Sequence, residues 1–146
     1  MMTYSEAGLA QTKEFEGLRL TAYQDSGGVW TIGYGHTGKD VKRGKTITQA
    51  EADELLKKDV QWAVDCVNRA APSGLNQNQF DALVDFTFNV GCSAFSGSTL
   101  LRKLNFGDAT GAAEEFLRWK FVKGVEVAGL LRRRQADRKL FLSPVQ

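Results

Sequence analysis

The spacing of apolar side chains changes at Thr48, and this change limits the fold more than any other feature of the 146-residue sequence. Before Thr48 the chain contains short β-prone runs, of which the clearest are "LTAY" and "VWTIGYG". The glycine-rich turn "QDSGG" separates them. After Thr48 apolar residues recur every three or four positions, as they do in amphipathic helices. The pattern predicts an α+β fold, with a small N-terminal lobe that carries a β-hairpin or short sheet and an all-helical C-terminal lobe.

Capping signals predict where the first helix lies. Thr3 and Glu6 have the spacing of a capping box, and Gly17 provides a C-terminal stop. The glycine-rich segment that follows is predicted to form a hairpin. Residues 38–47 are predicted to be loop, with a third short strand as an open alternative.

A second capping box, Thr48 with Glu51, begins a predicted helix of about 20 residues that ends before Pro72. Asn76 is predicted to cap the next helix and Gly91 to end it. Further helices are expected at 98–105, 109–120 and 130–142.

These elements predict a single domain over residues 1–146 with two lobes. Residues 14–48 would form the β-containing lobe, and residues 70–146 together with the first helix would form the helical lobe. The long helix over residues 48–70 would connect them, with the active site in the cleft between the lobes.

Composition excludes several classes of protein. No apolar run approaches the roughly 20 residues of a membrane-spanning helix. The N-terminus lacks the cationic start and apolar core of a secretory signal, so the chain is expected to be made in the cytosol without stable membrane insertion. Cys66 and Cys92 lack metal-ligand spacing and are expected to be buried free thiols, with a disulfide as the alternative.

Basic residues are concentrated near the C-terminus. The net charge of the chain is only +2, but residues 118–139 hold eight basic residues against two acidic ones. Such a face favours an anionic polymer or surface as partner, and a solvated helix face is the alternative. No recognised nucleic-acid motif accompanies the basic residues, so no nucleic-acid partner is predicted.

Glu16 and Asp25 are two carboxyl groups with unlike expected surroundings. Glu16 falls in the last turn of the first helix, where the negative end of the helix dipole favours the protonated form. Asp25 lies in a polar turn and is expected to stay ionised. Such a pair suits glycoside hydrolysis, which uses one protonated and one ionised carboxyl group beside the scissile bond. Solvated surface charge is the alternative for both.

The strand "VWTIGYG" alternates large and small residues. Thr31, Gly33 and Gly35 are predicted to share one face of it, where the Thr31 hydroxyl could orient a water molecule for Asp25 or be an ordinary strand residue. His36, the only histidine, is expected to form supporting hydrogen bonds rather than to bind a metal. The glycines match neither the dinucleotide fingerprint nor a phosphate-binding loop. No metal and no cofactor are predicted.

The stretch "EGLRLTAYQDSGGVWTIGYGHTG" resembles the catalytic signature of the phage-type muramidases, the T-even phage lysozyme family of glycoside hydrolase family 24. In that signature a Glu precedes Gly at the end of the first helix, an Asp follows nine residues later, and a Thr six further on. Glu16, Asp25 and Thr31 match these residue types and spacings. The later segments "LNQNQFDALVDFTFNVG", "FSGSTLLRKLN" and "GLLRRRQADRKLFL" are similar to lambdoid-phage endolysins of this family, so the resemblance covers nearly the whole chain.

This resemblance implies a lysozyme-like fold and hydrolysis of the β-1,4 bond between N-acetylmuramic acid and N-acetylglucosamine in peptidoglycan, with inversion at the anomeric carbon. It implies that Glu16 is the general acid, that Asp25 assists the attacking water, and that Thr31 positions this water. It also implies that Phe88 and Asn89 lie where the family contacts sugar, with a core position as the alternative for Phe88.

The resemblance further implies an endolysin that waits in the host cytoplasm until a holin opens the membrane and then acts on the wall in the periplasm. We expect a monomer. The run Arg132–Arg134 would help to bind the anionic wall, or would cap and solvate the last helix. Three other functions stay open. One is a catalytically silent wall-binding or structural domain on the same fold, and another is a nucleic-acid binder that uses the basic C-terminal face. The third is a lytic transglycosylase, which cleaves the same bond without water and leaves an anhydro sugar.

Overall fold

The computed structural model describes residues 1–145 and confirms the α+β class. The chain divides into two compact units, and the boundary between residues 8 and 9 falls inside the first helix. The sheet unit comprises residues 9–61, and the helical unit comprises residues 1–8 together with residue 62 onward. Among residues 1–145, no helix is both long and apolar enough to cross a membrane.

The sheet unit contains most of the first helix, a small antiparallel sheet and the second helix. In chain order its elements are α1 (Glu6–Glu16), β1 (Arg19–Gln24), β2 (Trp30–Gly33), β3 (His36–Thr37) and α2 (Gln49–Asp59). The strands lie in the order β1-β2-β3, which confirms the predicted hairpin. The 38–47 segment is loop apart from a single bridge between Thr46 and Thr21.

The core of the sheet unit lies where β2 packs on α2. Ile32 and Ala52 are completely buried there. A Cβ atom on Gly33 would stand 3.4 Å from side-chain atoms of both Ile47 and Ala52. The missing side chain at Gly33 therefore lets the strand approach the helix closely.

Over residues 61–145 the structure contains six α-helices and a short hairpin. In chain order these elements are α3 (Gln61–Ala70), α4 (Gln77–Val90), α5 (Cys92–Ser96), α6 (Thr99–Asn105), α7 (Ala109–Glu115), a 3₁₀ turn (Phe116–Arg118), β4 (Phe121–Val122), β5 (Val125–Glu126) and α8 (Ala128–Leu142). The helices expected at 98–105, 109–120 and 130–142 are α6, α7 with its 3₁₀ extension, and α8. Phe86 lies at the centre of the core, with ring centroids 5.4 Å from those of Phe116 and Trp119 and 6.4 Å from that of Phe95.

One of the two predicted capping boxes is present, and the predicted cap at Asn76 also forms such a box. Thr48 and Glu51 bond reciprocally at the start of α2, and Asn76 does the same with Gln79 at the start of α4. Each pair satisfies two backbone N–H groups that the first helical turn leaves without partners.

The predicted capping box at Thr3 is wrong. Ser5 is the cap instead, because its Oγ accepts a 3.1 Å hydrogen bond from the N–H of Gly8. The Ser5 hydroxyl donates in turn to the buried carboxylate of Asp81 on α4, and the Ser5 N–H donates to the same group at 3.2 Å. This long-range partner makes Ser5 the better cap, and the local sequence does not disclose it.

The predicted long connecting helix is divided in two at Val60. The backbone of Val60 has φ −80° and ψ −13°, which departs from α-helical values toward a 3₁₀-type turn. Its side chain is only 2% exposed, so the junction is held in the core. The chain therefore forms α2 and α3 rather than one helix of about 20 residues.

The β4–β5 hairpin and the short helix α5 were not predicted. The hairpin turns at Lys123 and Gly124, whose φ angles of 49° and 80° are both in the left-handed region that a tight two-residue turn requires. The signature for such a turn is Asn-Gly or Asp-Gly, and a Lys in the first position conceals it.

The expectation of two free thiols is wrong. Cys66 on α3 and Cys92 at the start of α5 form a disulfide, which leaves no free cysteine among residues 1–145. Their Cα atoms lie 6.0 Å apart, although 26 positions separate the two residues in the sequence. The fold, rather than the spacing along the chain, brings them within bonding distance.

Candidate active site

Glu16 is the last residue of α1, and two glycines shape its surroundings: Gly17, which follows it in the chain, and Gly35, which lies beside its carboxyl group. The helix stops there because Gly17 takes φ 76° and donates its N–H to the Lys13 carbonyl at 3.0 Å. The Glu16 Oε1 atom lies 3.4 Å from the place that a Cβ on Gly35 would occupy. Gly35 therefore leaves open space beside a half-buried carboxyl group.

Asp25 lies in the turn between β1 and β2, and backbone groups hold its side chain. Its Oδ1 accepts hydrogen bonds from the N–H groups of Gly27 at 2.8 Å and Val29 at 2.9 Å. Its own N–H donates to the Val29 carbonyl at 2.9 Å. The carboxylate is thus exposed to solvent but fixed in direction.

Thr31 lies on β2, opposite Tyr23 of β1 and Thr37 of β3. Its side chain is only 4% exposed, and its hydroxyl donates to the Val29 carbonyl at 2.9 Å. Since that bond uses the only hydroxyl proton, the oxygen can act only as an acceptor toward any other group.

The predicted glycine face of this strand is only partly correct. β2 ends at Gly33, whose φ is 67°, and Gly35 with φ 86° belongs to the following turn. The alternation of faces that applies along a strand therefore does not extend from Thr31 to Gly35. Gly33 allows close packing against α2, whereas Gly35 lies beside the Glu16 carboxyl group, so the two glycines have different structural roles.

His36, on β3, joins two carboxylates. Its Nδ1 lies 2.7 Å from Asp59 at the end of α2, and its Nε2 lies 3.1 Å from Asp40 in the following loop. Burial favours the neutral ring, but hydrogen bonds to Asp59 and Asp40 outweigh it and raise the pKa of His36. The hydrogen bond between His36 and Asp40 also lowers the pKa of the Asp40 carboxyl group. Sequence analysis did not find these partners, which lie 4 and 23 positions away.

The structure places all six residues predicted around the catalytic signature in the sheet unit: Glu16, Asp25, Thr31, Gly33, Gly35 and His36. Within residues 1–145, no group of three or more His, Cys, Asp or Glu side chains is arranged to hold a metal ion.

Phe88 and Asn89, the predicted sugar contacts, lie in the last turn of α4 in the helical unit. Phe88 is half-buried, and its ring centroid lies 5.8 Å from that of Trp62 on α3. Asn89 is exposed, and its Oδ1 accepts a hydrogen bond from the buried guanidinium of Arg134. Neither partner could be identified from the sequence, because each lies on another helix.

Neither role predicted for the run Arg132–Arg134 applies to its last two residues. Arg133 is 5% exposed and binds the buried Asp85 through two nitrogens, at 2.8 and 3.2 Å. Arg134 is completely buried, and burial lowers its pKa. Both side chains are buried because they pair with acidic residues on α4 and α8. Only Arg132 is exposed.

A buried acidic residue completes this cluster. Asp137 Oδ2 lies 3.4 Å from Arg134 Nη1. Burial and the neighbouring carboxylate of Asp85 raise the pKa of Asp137 well above its ordinary value. Outside the cluster, Arg118, Lys120 and Arg138 pair with glutamates, so the basic segment 118–139 does not form a continuous cationic face.

Comparison with known proteins identifies the family. The sequence model described as phage lysozyme matches residues 13–137, which is most of the chain. The chain belongs to the phage lysozyme family. Within this family it is 49% identical over 147 residues to the endolysin of Salmonella phage P22, in an alignment that covers 98% of this chain and all of the relative.

Solved structures of phage lysozymes and related muramidases have the same fold. A crystal structure of a P22 lysozyme mutant superposes with a TM-score of 0.91 at 49% identity, covering 98% of this chain and all of that one. The muramidase domain of SpmX from Asticaccaulis excentricus also gives 0.91, at 42% identity, covering 99% of this chain and all of that domain. The chain is an endolysin-type lysozyme and hence a glycoside hydrolase.

Proposed function

We propose that this lysozyme hydrolyses the β-1,4 bond between N-acetylmuramic acid and N-acetylglucosamine, with Glu16 as general acid, Asp25 as the partner of the attacking water and Thr31 as the group that positions it. One observation carries this assignment: Asp25 and Thr31 are both anchored on Val29. The Val29 N–H holds the Asp25 carboxylate, and the Val29 carbonyl accepts from the Thr31 hydroxyl. Two side chains fixed to one residue keep a constant separation, as the placement of a single water requires.

The hydrogen-bonding capacities of this pair fit the task. The Asp25 carboxylate is an acceptor, and the Thr31 oxygen can only accept because its proton is already used. A water molecule that donates one proton to each would direct its lone pair away from both, toward an anomeric carbon in front of them. Attack by a water held in this way inverts the configuration, and the two carboxyl groups of inverting enzymes stand roughly 6.5–9.5 Å apart.

Glu16 suits the other half of the reaction. Its carboxyl group adjoins Gly35, and the lack of a side chain at Gly35 leaves room beside it. A protonated carboxyl there could deliver its proton to the glycosidic oxygen as the bond breaks. His36 supports the site indirectly, because it joins β3 to the end of α2 through Asp59. No cofactor is required for this chemistry.

The test compares two neighbouring glutamates on the same helix. Glu16→Gln is nearly isosteric and should abolish lysis of outer-membrane-stripped Gram-negative cells while leaving the melting temperature unchanged. Glu14→Gln alters an exposed carboxyl two residues earlier and should retain full activity. Wild-type turnover by the Glu16 variant would refute the assignment of the general acid.

Product analysis separates the hydrolase from the transglycosylase. Mass spectrometry of digested peptidoglycan should show reducing muramic-acid ends, since water adds across the bond. NMR observation of the first-formed anomer should show inversion. Anhydro-muramic ends as the main product would contradict hydrolysis, and intact glycan would favour a silent wall-binding domain.

We further propose that Phe88 and Asn89 contact the sugar chain, and that the enzyme acts as a monomer on the periplasmic wall after a holin opens the cytoplasmic membrane. Expression of the chain in cells with and without a co-expressed holin tests the last point. Lysis without a holin would contradict it.

A further inference from the structure

Trp62 occupies a position in α3 that core packing does not explain. The buried side of this helix is formed by Ala63, Val64, Cys66 and Val67. Trp62 lies instead on the solvent side with Asp65 and Arg69, and 45% of its surface is exposed. The exposed part of the indole is therefore available to a ligand, and tryptophan combines a large apolar face with a polar N–H group.

The indole ring of Trp62 is supported by Phe88. The two ring centroids lie 5.8 Å apart with an interplanar angle of 35°. Phe88 directly follows eight consecutive buried residues of α4, from Phe80 to Thr87, so its backbone is rigidly anchored. Phe88 therefore holds the exposed ring of Trp62 in place, which lowers the entropy lost when a ligand packs on it.

Asn89, next to Phe88, presents hydrogen-bond donors to solvent. Its Oδ1 accepts from Arg134, so the amide nitrogen is the end that remains for a ligand. The Arg134 guanidinium is fully buried and lies 5.0 Å from the Phe86 ring centroid, which fixes its direction. Arg134 thus acts as a positioning residue for the Asn89 amide.

We propose that Trp62, with Phe88 and Asn89, forms a saccharide-binding surface on the helical unit. An N-acetylated amino sugar of the glycan strand stacks its C–H face on the Trp62 indole, while the Asn89 amide donates to a hydroxyl or acetyl oxygen. Aromatic rings beside a few oriented polar groups are typical of small-ligand sites. This assignment rests on the proposed function, because that function supplies the glycan.

The chemistry of the surface favours a sugar over other partners. Its contact groups, two aromatic rings and an amide, are uncharged, and the nearest charges on the solvent side of α3, Asp65 and Arg69, have opposite signs. An anionic lipid surface or a nucleic acid requires a positive face. A stable dimer buries about 800 Å² on each subunit, far more than two side chains supply.

Binding should be measured in the full-length Glu16→Gln variant, which cannot degrade its ligand. The probe is a soluble N-acetylglucosamine oligosaccharide, followed by titration calorimetry. Trp62→Ala should weaken binding roughly tenfold, and Trp62→Tyr should restore much of it. Phe121→Ala is the matched control, since Phe121 is an aromatic residue of the same unit with 52% exposure.

Asn89→Asp tests the direction of the amide. An aspartate would still accept the hydrogen bond from Arg134 but would offer no N–H group to the ligand. Binding should weaken although the melting temperature does not fall. With Glu16 intact, Trp62→Ala should raise KM on solubilised peptidoglycan and leave kcat nearly unchanged.

The outcomes separate this inference from the proposed function. If wild type hydrolyses peptidoglycan and Glu16→Gln does not, the function stands. Unchanged binding and KM in Trp62→Ala would then overturn the saccharide surface alone, as would an equal loss in Phe121→Ala. A wild type without hydrolytic activity that still binds the oligosaccharide through Trp62 would refute the function and keep the surface.

Discussion

Reduction of the Cys66–Cys92 disulfide should lower the melting temperature of the protein by about 11 °C. The bond closes a loop over a sequence separation of 26 residues. For a loop of this length, the restriction of the unfolded chain is worth about 3.5 kcal/mol at 25 °C. With an unfolding entropy of about 2.1 cal/mol/K per residue, the free energy of unfolding of a 146-residue chain falls by about 0.3 kcal/mol per degree near the melting temperature.

The assay compares thermal unfolding of the air-oxidised protein with and without reductant, followed by circular dichroism. Thiol titration under denaturing conditions should find no free thiol before reduction and two after it. Cys92→Ser is the control, because it cannot form the bond and its melting temperature should not respond to reductant. A shift of less than about 3 °C in wild type would refute the reasoning from loop entropy.

Three further predictions concern other contacts. Because the pKa of His36 is raised in the folded protein, its protonated form stabilises the fold; this contribution is full below the ordinary pKa of 6.5 and is lost as the pH rises through the folded-state pKa. In urea titrations, His36→Gln should therefore cost more free energy of unfolding at pH 5 than at pH 9. Gly35→Ala and Gly44→Ala place a methyl group at nearly the same φ, 86° and 85°, so each should cost about 1–2 kcal/mol in denaturant unfolding. Only Gly35→Ala should reduce lysis, because only its methyl group meets the Glu16 carboxyl; equal lysis by the two variants would contradict the placement of Glu16. Arg133→Met should cost about 3–5 kcal/mol, and equal stability to wild type would show that the buried Asp85 does not need its partner.

The local structure around Glu16 and Asp25 could be predicted from the sequence because the signals there are local. Glu16 precedes a glycine stop, and Asp25 is held by backbone groups no more than four residues away. The capping boxes at Thr48 and Asn76 are local for the same reason. Interactions of this kind depend on a few neighbouring residues and can be identified by inspection of the sequence.

What could not be predicted depends on long-range contacts. Ser5 caps α1 because Asp81 reaches it across 76 positions, and Arg133 is buried because Asp85 lies 48 positions away. The disulfide likewise joins elements that only the folded chain brings together. A run of arginines looks the same in sequence whether it faces water or two buried carboxylates.

The buried pair of Asp85 and Arg133 restricts the order in which mutations can accumulate in descendants of this chain. Loss of either partner leaves the other as a buried charge without its bidentate contact, at a cost of several kcal/mol, whereas an apolar pair of similar volume can be nearly neutral. The single steps are therefore disfavoured although the double replacement is tolerable. Lineages should keep both residues or exchange both, and the two positions should covary among relatives.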